Sequence, residues 1–445
     1  MLGEGEMKNQ NFLRIIAFIL CLCSGSLFFA CKRDENGGES TTDTVTESES
    51  VAETVDGTVL IDENGESAFA IIRAEHAEGY VKKCASDLYL SLKNEYPESG
   101  IKVRDDFLIR DEQPGEYEIM IGASNREGSA EFEAELADNT FGIRVTEKKV
   151  YVCASTPARI GDAVDYFTEH FLVKDGEGRV LIKHGEYRSE PVTYGLSDII
   201  TAASGFTTKS TKLYDVPAVS QKRIMQGGCT DGTYMYYAMV NSGDSQTACI
   251  RKYDIKTGKL LKTGDPIATD HSNDITYIPE TNQLLVCHNS PNRTMVSVVD
   301  ADTLEFVKKV ELPFKIFSIS YQPEREVYVV GISGGQDFSI LNKNFKVDRN
   351  YLPSTDRFTA VNTEFTTQGM ETDINYIYFV QYKTNVIMVY DWKGKYVNQI
   401  PLDIPSNTEP ENISLVGDCF YIACNNPKWT GGIVYKTEII APNAK

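Results

Sequence analysis

Basic residues are a clear minority in this chain of 445 residues. It contains 44 Lys and Arg against 64 Asp and Glu, and its formal net charge is -20. A protein that binds nucleic acid needs clustered Lys and Arg to contact the phosphates. The charge balance therefore excludes nucleic acid as an expected partner.

The chain also lacks the residue spacings that hold metals. It has only 5 His, and its 10 Cys include no C-x-x-C pair. His271 and His288 are the two His considered as ligands, but a zinc site needs a third or fourth protein ligand at a suitable spacing. We therefore expect no metal and no cofactor. The Cys that follow the leader are expected to be mostly free thiols, packed as small hydrophobic residues.

No apolar run is long enough to span a bilayer comfortably. Residues 15–29 form an apolar run of about 15 residues, whereas a membrane helix needs about 20. Basic residues precede this run, which is the pattern of a secretory signal. The run ends at Ala30-Cys31 and resembles a bacterial lipoprotein signal, in which a small residue precedes the Cys that receives lipid. The resemblance implies a signal peptide over residues 1–30 and an extracytoplasmic protein anchored to the bacterial cell membrane through Cys31.

Aromatic residues are missing from residues 31–57. This segment is rich in Ser, Thr, Asp and Glu, and it cannot bury enough apolar surface to offset its chain entropy. We expect a disordered tether that holds the folded part of the chain away from the membrane.

Helical and strand patterns alternate over residues 58–190. Apolar residues recur three and four apart over 77–96 and over 156–172, which predicts two amphipathic helices. A strand is predicted over 117–124, and a hairpin over 141–155. This order resembles the small α+β domain that precedes the catalytic barrel in α-glucuronidases and hexosaminidases. The resemblance implies an accessory α+β domain with no catalytic residues of its own.

Helical periodicity is absent from residue 205 onward. Short apolar strands alternate there with polar turns, and an Asp or Asn begins a turn about every 45 residues, at Asp254, Asp300, Asn342 and Asp391. Units of this length predict a five-bladed β-propeller over residues 205–445, and a spare strand at 211–219 is expected to complete the fifth blade. The predicted fold class is therefore multidomain, with an α+β accessory domain followed by an all-β five-bladed β-propeller.

Two stretches of the predicted propeller share one pattern. IMQGGCTDGTYMYYA (224–238) and TTQGMETDINYIYFV (366–380) both read Gln-Gly, Thr-Asp and Tyr-x-Tyr at equal offsets, which predicts equivalent inner strands in blades one and four. The region resembles tethered five-bladed or NHL-like propellers, and its first blade resembles plant-type glutaminyl cyclotransferases. In that family the catalytic group is a Glu at a Gln/Glu-Gly start of an inner strand. Gln226 and Gln368 occupy the matching positions here, and an amide cannot serve as a general acid or base.

The connections of a propeller fall on two opposite rims. We expect the functional site on the rim where the inner strands begin, because the Asp turns of the other rim have little chemical variety. The candidate ligand-binding residues on this rim are Gln226, His271, Asn273, Asp274, His288, Gln368, Glu411 and Trp429.

Two carboxylates and one indole suggest specific roles. Asp274 and Glu411 both begin inner strands, and they either form an acid/base pair or line a hydrated channel. Trp429 would stack on a sugar or anchor its own loop. The favoured hypothesis is a cell-surface binding module for carbohydrate or cell-wall material. The alternative is an extracytoplasmic enzyme, either a glycan hydrolase or lyase or a cyclotransferase-like catalyst, with its site in the funnel of the propeller.

Overall fold

A computed structural model describes residues 56–110, 112–220, 222–241, 246–332, 337–360 and 367–440. The predicted signal peptide, Cys31 and all but the last two residues of the predicted tether lie outside these ranges. Within the ranges, no helix is both long enough and apolar enough to cross a membrane.

The N-terminal half combines short strands with helices. Its strands are β1 (Gly57–Ile61), β2 (Ala70–Arg73), β3 (Lys102–Asp105), β4 (Glu118–Ile121), β5 (Phe141–Val145), β6 (Lys149–Ala154), β7 (Leu172–Lys174), β8 (Val180–Lys183) and β9 (Gly185–Arg188). Its helices are α1 (Gly79–Glu95), α2 (Ser129–Ala134), α3 (Ile160–His170) and α4 (Leu196–Ala202), and a 3-10 turn spans Pro157–Arg159.

A six-stranded sheet organises this half. Its strand order is β3-β2-β4-β6-β5-β9; β2 is parallel to β3 and β4, and β4 is parallel to β6, whereas β5 runs antiparallel to β6 and β9. Helix α1 buries Val81, Leu88 and Leu92, which recur at helical spacing and pack with the sheet in one apolar core. The helices predicted over 77–96 and 156–172 are present as α1 and α3.

The C-terminal half consists of short antiparallel strands. Strand β10 (Thr207–Pro217) comes first. Blade 1 contains β11 (Lys222–Thr230), β12 (Tyr234–Asn241), β13 (Ala248–Asp254) and β14 (Leu260–Thr263), and blade 2 contains β15 (Asp274–Ile278), β16 (Gln283–Cys287), β17 (Met295–Asp300) and β18 (Phe306–Glu311). Blade 3 contains β19 (Ile316–Gln322), β20 (Val327–Ile332), β21 (Asp337–Asn342) and β22 (Phe358–Thr359), and blade 4 contains β23 (Thr367–Thr372), β24 (Tyr376–Gln381), β25 (Val386–Asp391) and β26 (Tyr396–Pro401). Blade 5 contains β27 (Glu409–Val416), β28 (Cys419–Asn425) and β29 (Gly431–Ile440).

These sheets form a closed ring. The inner strands contact each other in the order β11, β15, β19, β23 and β27, and β27 contacts β11 again. Strand β10 pairs with β29 from Thr207↔Ile440 to Pro217↔Gly431 and becomes the fourth strand of blade 5. The strand predicted at 211–219 therefore closes the ring, and the architecture is that of a five-bladed β-propeller.

The repeated Asp and Asn residues shape the outer turns. The Oδ1 atom of Asp254 accepts a hydrogen bond from the backbone N–H of Thr257 at 2.8 Å, and Asp300 does the same for Thr303 at 2.7 Å. Such side-chain bonds replace the backbone partners that a tight turn loses. One face of the ring carries two sets of turns, namely these Asp and Asn turns and the turns that join the first and second strands of a blade. We call this face the turn rim. The opposite face, where inner strands begin, is the loop rim.

The two halves meet at blades 3, 4 and 5. One apolar core runs from the six-stranded sheet into residues such as Phe338 and Trp392 of the propeller. Helix α4 adds contacts with the turn rim of blade 4, because Ser197 Oγ accepts from Asn375 Nδ2 at 3.0 Å and Thr201 Oγ1 lies 2.6 Å from the Tyr376 hydroxyl. The same helix shares an apolar cluster with residues of blades 4 and 5.

Candidate functional site

A buried carboxylate ties three blades together near the centre of the ring. The Oδ2 atom of Asp274 accepts hydrogen bonds from the backbone N–H groups of Ile319 at 3.0 Å and Met370 at 3.2 Å, and Oδ1 accepts from Ile275 at 3.0 Å. Burial raises the pKa of Asp274 well above its usual value, and the three N–H donors act in the opposite direction. Because the side chain is fully buried and its oxygens are occupied, Asp274 braces the inner strands.

The Gln-Gly repeat has a packing cause. A Cβ added at Gly227 would overlap the backbone of Asp274 in the neighbouring blade, and one at Gly369 would lie 2.8 Å from the Cα of Asn412. The strand register shifts between Met225 and Gly228, so this part of β11 bulges toward its neighbour. Glycine allows the close approach of the two backbones. The glycines therefore belong to ring closure, whereas the Gln that precedes each one lies at the loop rim.

A second carboxyl links three inner strands below Asp274. The Oε1 atom of Glu371 accepts from the N–H of Thr372 at 2.9 Å and from the hydroxyl of Ser320 at 3.2 Å. Its Oε2 atom accepts from the N–H of Leu415 at 3.3 Å. Burial raises the pKa of Glu371 to about 7, against the effect of these donors. Glu371 therefore changes charge near neutral pH while it holds blades 3, 4 and 5.

Two further carboxyls lie together at the start of blade 5. Burial first, and then the neighbouring Glu409, raise the pKa of Glu411 well above its usual value. Burial also raises the pKa of Glu409, whereas Glu411 lowers it. The Glu411 carboxyl is the deeper of the two, at 2% exposure, so burial disfavours its charged form most, and the two carboxyls titrate as a coupled pair.

Amide side chains from three blades surround this pair. Asn425 Nδ2 donates to Glu411 Oε1 at 2.6 Å, and Gln368 Nε2 donates to Glu409 Oε1 at 3.2 Å. The amide of Gln226 also donates to Glu411. We call these five residues, Gln226, Gln368, Glu409, Glu411 and Asn425, the rim cluster. It lies where blades 4, 5 and 1 meet.

Gln226 is incompletely bonded within this cluster. Its Nε2 atom also contacts the carbonyl of Met225 at 3.2 Å, and the N–H of Met225 donates to Asn425 Oδ1 at 2.9 Å. The Oε1 atom of Gln226 is buried and has no partner among the described residues, although the side chain is only 3% exposed. The cluster therefore contains one buried acceptor that lacks a donor.

Trp429 stands on the hairpin that carries Asn425. The loop between β28 and β29 is held by Asn426, whose Oδ1 accepts from the N–H of Lys428 at 3.0 Å and of Thr430 at 3.1 Å. Trp429 adopts a φ of 54° in this loop, and it is 45% exposed. The indole is thus presented to solvent by a braced loop that begins directly after a member of the rim cluster.

The remaining predicted residues form a separate network in blade 2. His288 Nδ1 lies 2.6 Å from Asp270 Oδ2, and its Nε2 lies 2.7 Å from Ser297 Oγ. The order Asp270, His288, Ser297 matches that of a nucleophilic triad. Because Ser297 and His288 are both fully buried, a substrate has no access to the hydroxyl. Burial lowers the pKa of His288 and of His271. No group of three His, Cys, Asp or Glu within the described ranges is arranged to hold a metal.

Asn273 also links blades. Its Nδ2 atom donates to the carbonyl of Phe317 at 2.9 Å, and its Oδ1 accepts from Asn289 at 3.2 Å. Among the predicted residues, the structure therefore brings together Gln226, Gln368 and Glu411, with Trp429 on the adjoining hairpin. Glu411 is paired with Glu409 rather than with Asp274, its predicted acid/base partner.

Sequence reasoning missed Glu409 as a site residue and did not place Asn425 in the cluster. Glu409 and Glu411 are two positions apart in β27, and residues at that spacing in a strand share a face, so the signal for Glu409 was available. Asn425 is the cross-strand partner of Glu409, which only the pairing register reveals.

Two surface grooves lie away from the rim cluster. One of about 530 Å³ runs between the outer strands β14 and β18, and is lined by Lys262–Ala268, Thr303–Phe306 and Lys309. The other, of about 470 Å³, is lined by residues at the N-terminal ends of β2 and β4 and along β3. Neither includes a member of the rim cluster.

Comparisons with known proteins give distant likenesses only. No family model and no curated protein matches the chain. Among solved structures it is similar to a glutaminyl cyclase from Myxococcus xanthus, with a TM-score of 0.41 and 7% identity over 54% of this chain and 100% of the other. It is also similar to a streptogramin B lyase, with a TM-score of 0.32 and 13% identity over 53% of this chain and 75% of the other. The assignment of a β-propeller rests on strand order and ring closure, not on these likenesses.

Proposed function

We propose that the protein is a bacterial cell-surface lipoprotein, anchored through Cys31, that binds carbohydrate or cell-wall material at its loop rim. The observation that carries this proposal is the convergence of three amides and two carboxyls at the loop rim, with the exposed indole of Trp429 on the hairpin that carries Asn425. Saccharides present hydroxyl groups around weakly polar ring faces. Amide and carboxyl groups match the hydroxyls, and an aromatic ring matches the face.

The position of the N-terminal half supports the choice of the loop rim as the binding face. The described ion pairs between the halves use Arg325 and Glu326 on the turn rim of blade 3, whereas the rim cluster lies on the loop rim. In the α+β domains that residues 58–190 resemble, the role is accessory to another domain. We assign the N-terminal half an accessory role here, as a support for the propeller.

A glycan array with the purified protein tests this function. Replacing Trp429 with Ala is expected to weaken binding by about 1–3 kcal/mol, which is about 5- to 150-fold, if the indole stacks on the ligand. Phe107→Ala is the matched control, because Phe107 is an aromatic residue of the N-terminal half that is 63% exposed. Ligand bound at the turn rim, or equal effects of the two substitutions, would contradict the proposal.

The raised pKa of Glu411 in its buried position beside Glu409 favours a second candidate, an enzyme that uses Glu411 as an acid or base. Glu411 occupies the inner-strand position in blade 5 that Gln226 and Gln368 occupy in blades 1 and 4. The resemblance to glutaminyl cyclotransferases implies a catalytic Glu at this position. Blades 1 and 4 have an amide there, whereas Glu411 provides a carboxyl in blade 5. The two carboxyls are in hydrogen-bond contact, whereas glycosidases separate theirs by about 5–9.5 Å. This geometry favours proton transfer by one shared group over glycan hydrolysis.

Glu411→Gln separates the two candidates. The substitution keeps the shape of the side chain and removes its acid function. For an enzyme, it abolishes product formation from a bound glycan or from an N-terminal glutaminyl peptide, and binding persists. For a binding module, the unaltered protein forms no product from either compound, and the substitution changes affinity only modestly.

A further inference from the structure

The rim cluster combines a buried amide oxygen that has no donor among the described residues with two neighbouring carboxyls. We infer that it selects neutral or amino-bearing saccharides and rejects those that carry carboxylate or phosphate groups. This inference deepens the function proposed above and depends on it.

The side-chain donors of the cluster are partly in use. One N–H of Asn425 is directed to Glu411 and one N–H of Gln368 to Glu409, and the amide nitrogen of Gln226 contacts the carbonyl of Met225. An anionic ligand would compete with the carboxyls for these N–H groups and would bring a further negative charge beside them.

The acceptors are only partly used. Gln226 Oε1 is buried and has no partner among the described residues, and Glu409 is half-buried. A buried acceptor without a donor costs free energy that a ligand hydroxyl or amine recovers. The cluster is therefore completed by a ligand that brings O–H or N–H groups.

The charge of the pair points the same way. In the described part of the chain, neither Glu409 nor Glu411 forms an ion pair with Lys or Arg, and no basic group contributes to the pKa shift of Glu409. A negative charge on the pair thus has no cationic partner among the side chains that the structure describes. An ammonium group on the ligand would neutralise it, and a carboxylate would be repelled at short range.

A matched series of oligosaccharides tests the inference. Its members share linkage and length and differ in one substituent per sugar, which is an amine, a hydroxyl or a carboxylate. By calorimetry near neutral pH, we expect the amino and neutral members to bind and the acidic member to bind at least about tenfold more weakly. Measurements at high salt remove the long-range effect of the net charge.

Two substitutions locate the selectivity. Glu409→Gln is expected to strengthen binding of the acidic member and weaken binding of the amino member. Glu438→Gln on β29 is the control, because it changes the net charge equally at an exposed position that pairs with Lys436. Gln226→Leu removes the free acceptor and is expected to weaken binding of all the members that bind, with an unchanged circular dichroism spectrum as the check on folding.

The outcomes are distinguishable. If no glycan on the array binds, the proposed function fails. If glycans bind but the acidic member binds as well as the neutral one, or if Glu409→Gln leaves the order unchanged, the further inference fails and the proposed function stands. Unchanged affinity in a folded Gln226→Leu variant also overturns the inference, because the free acceptor then makes no contact with the ligand.

Discussion

The Nη1 atom of Arg325 donates to both carboxylate oxygens of Glu78, at 2.9 and 3.0 Å, across the interface between the two halves of the chain. Its Nε and Nη2 atoms donate to the carbonyl of Ile374 at 2.9 and 2.6 Å, and its guanidinium lies 4.3 Å from the centre of the Trp392 ring. Both charged side chains are almost fully buried. The pair therefore fixes how the N-terminal half sits on the turn rim.

Replacing Arg325 with Met is expected to lower the free energy of unfolding by roughly 3–5 kcal/mol, because it leaves the Glu78 carboxylate buried without its partner. Denaturant titration followed by circular dichroism measures this loss. Lys436→Met is the control, since Lys436 pairs with Glu438 at the surface and should cost less than about 1 kcal/mol. A loss below about 1 kcal/mol for Arg325→Met would show that the ion pair does not hold the interface.

Gly227→Ala is expected to destabilise the propeller by about 1–3 kcal/mol or more, because the new methyl group overlaps the backbone of Asp274. A thermal melt provides the measurement. Gly176→Ala is the matched control, since a Cβ at Gly176 meets no atom within 4 Å. Equal melting temperatures for the two variants would contradict the packing explanation of the Gln-Gly repeat.

Asp274→Asn is expected to cost about 1–3 kcal/mol of stability. In the unaltered protein, one carboxyl oxygen accepts hydrogen bonds from two backbone N–H groups, and an NH₂ group in its place would face those donors without being able to accept. Ligand affinity of the folded variant should be unchanged. A stable Asp274→Asn protein with altered binding would mean that Asp274 contacts the ligand, and that its role as a brace is secondary.

Glu371 predicts a pH dependence of stability. Burial raises its pKa in the folded protein to about 7, above the usual value of 4.5 for a Glu carboxyl, so the folded state binds the proton more tightly than the unfolded state. This contribution to stability is therefore lost as the pH rises from about 4.5 through about 7. Glu371→Gln should flatten the decline in a series of denaturation midpoints, whereas the same change at exposed Glu311 should not. Parallel curves for Glu371→Gln and the unaltered protein would refute the prediction.

Cys31→Ser is expected to release the protein from the membrane fraction, because the lipid would have no attachment point. Cys23→Ser is the control, since Cys23 follows Leu rather than a small residue. Fractionation of cells that produce each variant gives the answer. An unchanged distribution of Cys31→Ser would rule out the anchor.

The propeller was predictable because its signals are local. The turns at Asp254 and Asp300 need only a side-chain oxygen and an N–H two or three residues ahead, so their spacing is visible in the sequence. Closure by β10 also followed from counting strands. Helix α4 was not predicted. The pair of Arg325 with Glu78 was also missed, because the two partners are 247 residues apart and no local pattern connects them.

The site was predictable in part for the same reason. Gln226, Gln368 and Glu411 were identified because each begins an inner strand. The role of Asp274 was not, since whether a strand-start carboxylate faces solvent or the N–H groups of the next blades depends on how the ring closes. The pair of Glu409 and Glu411 lies where blade 5 meets blade 1. Which side chains meet at this junction depends on tertiary packing and could not be predicted from the sequence.

The pairing of β10 with β29 makes completion of blade 5 depend on a strand near the end of the chain. The four-stranded sheet of this blade cannot form until residues 431–440 leave the ribosome, because β29 lies between β28 and β10. A nascent chain that stops earlier carries β10 and β28 with exposed edges, which invite pairing with other chains. A truncated product would therefore be a substrate for chaperones and proteases rather than a smaller functional propeller.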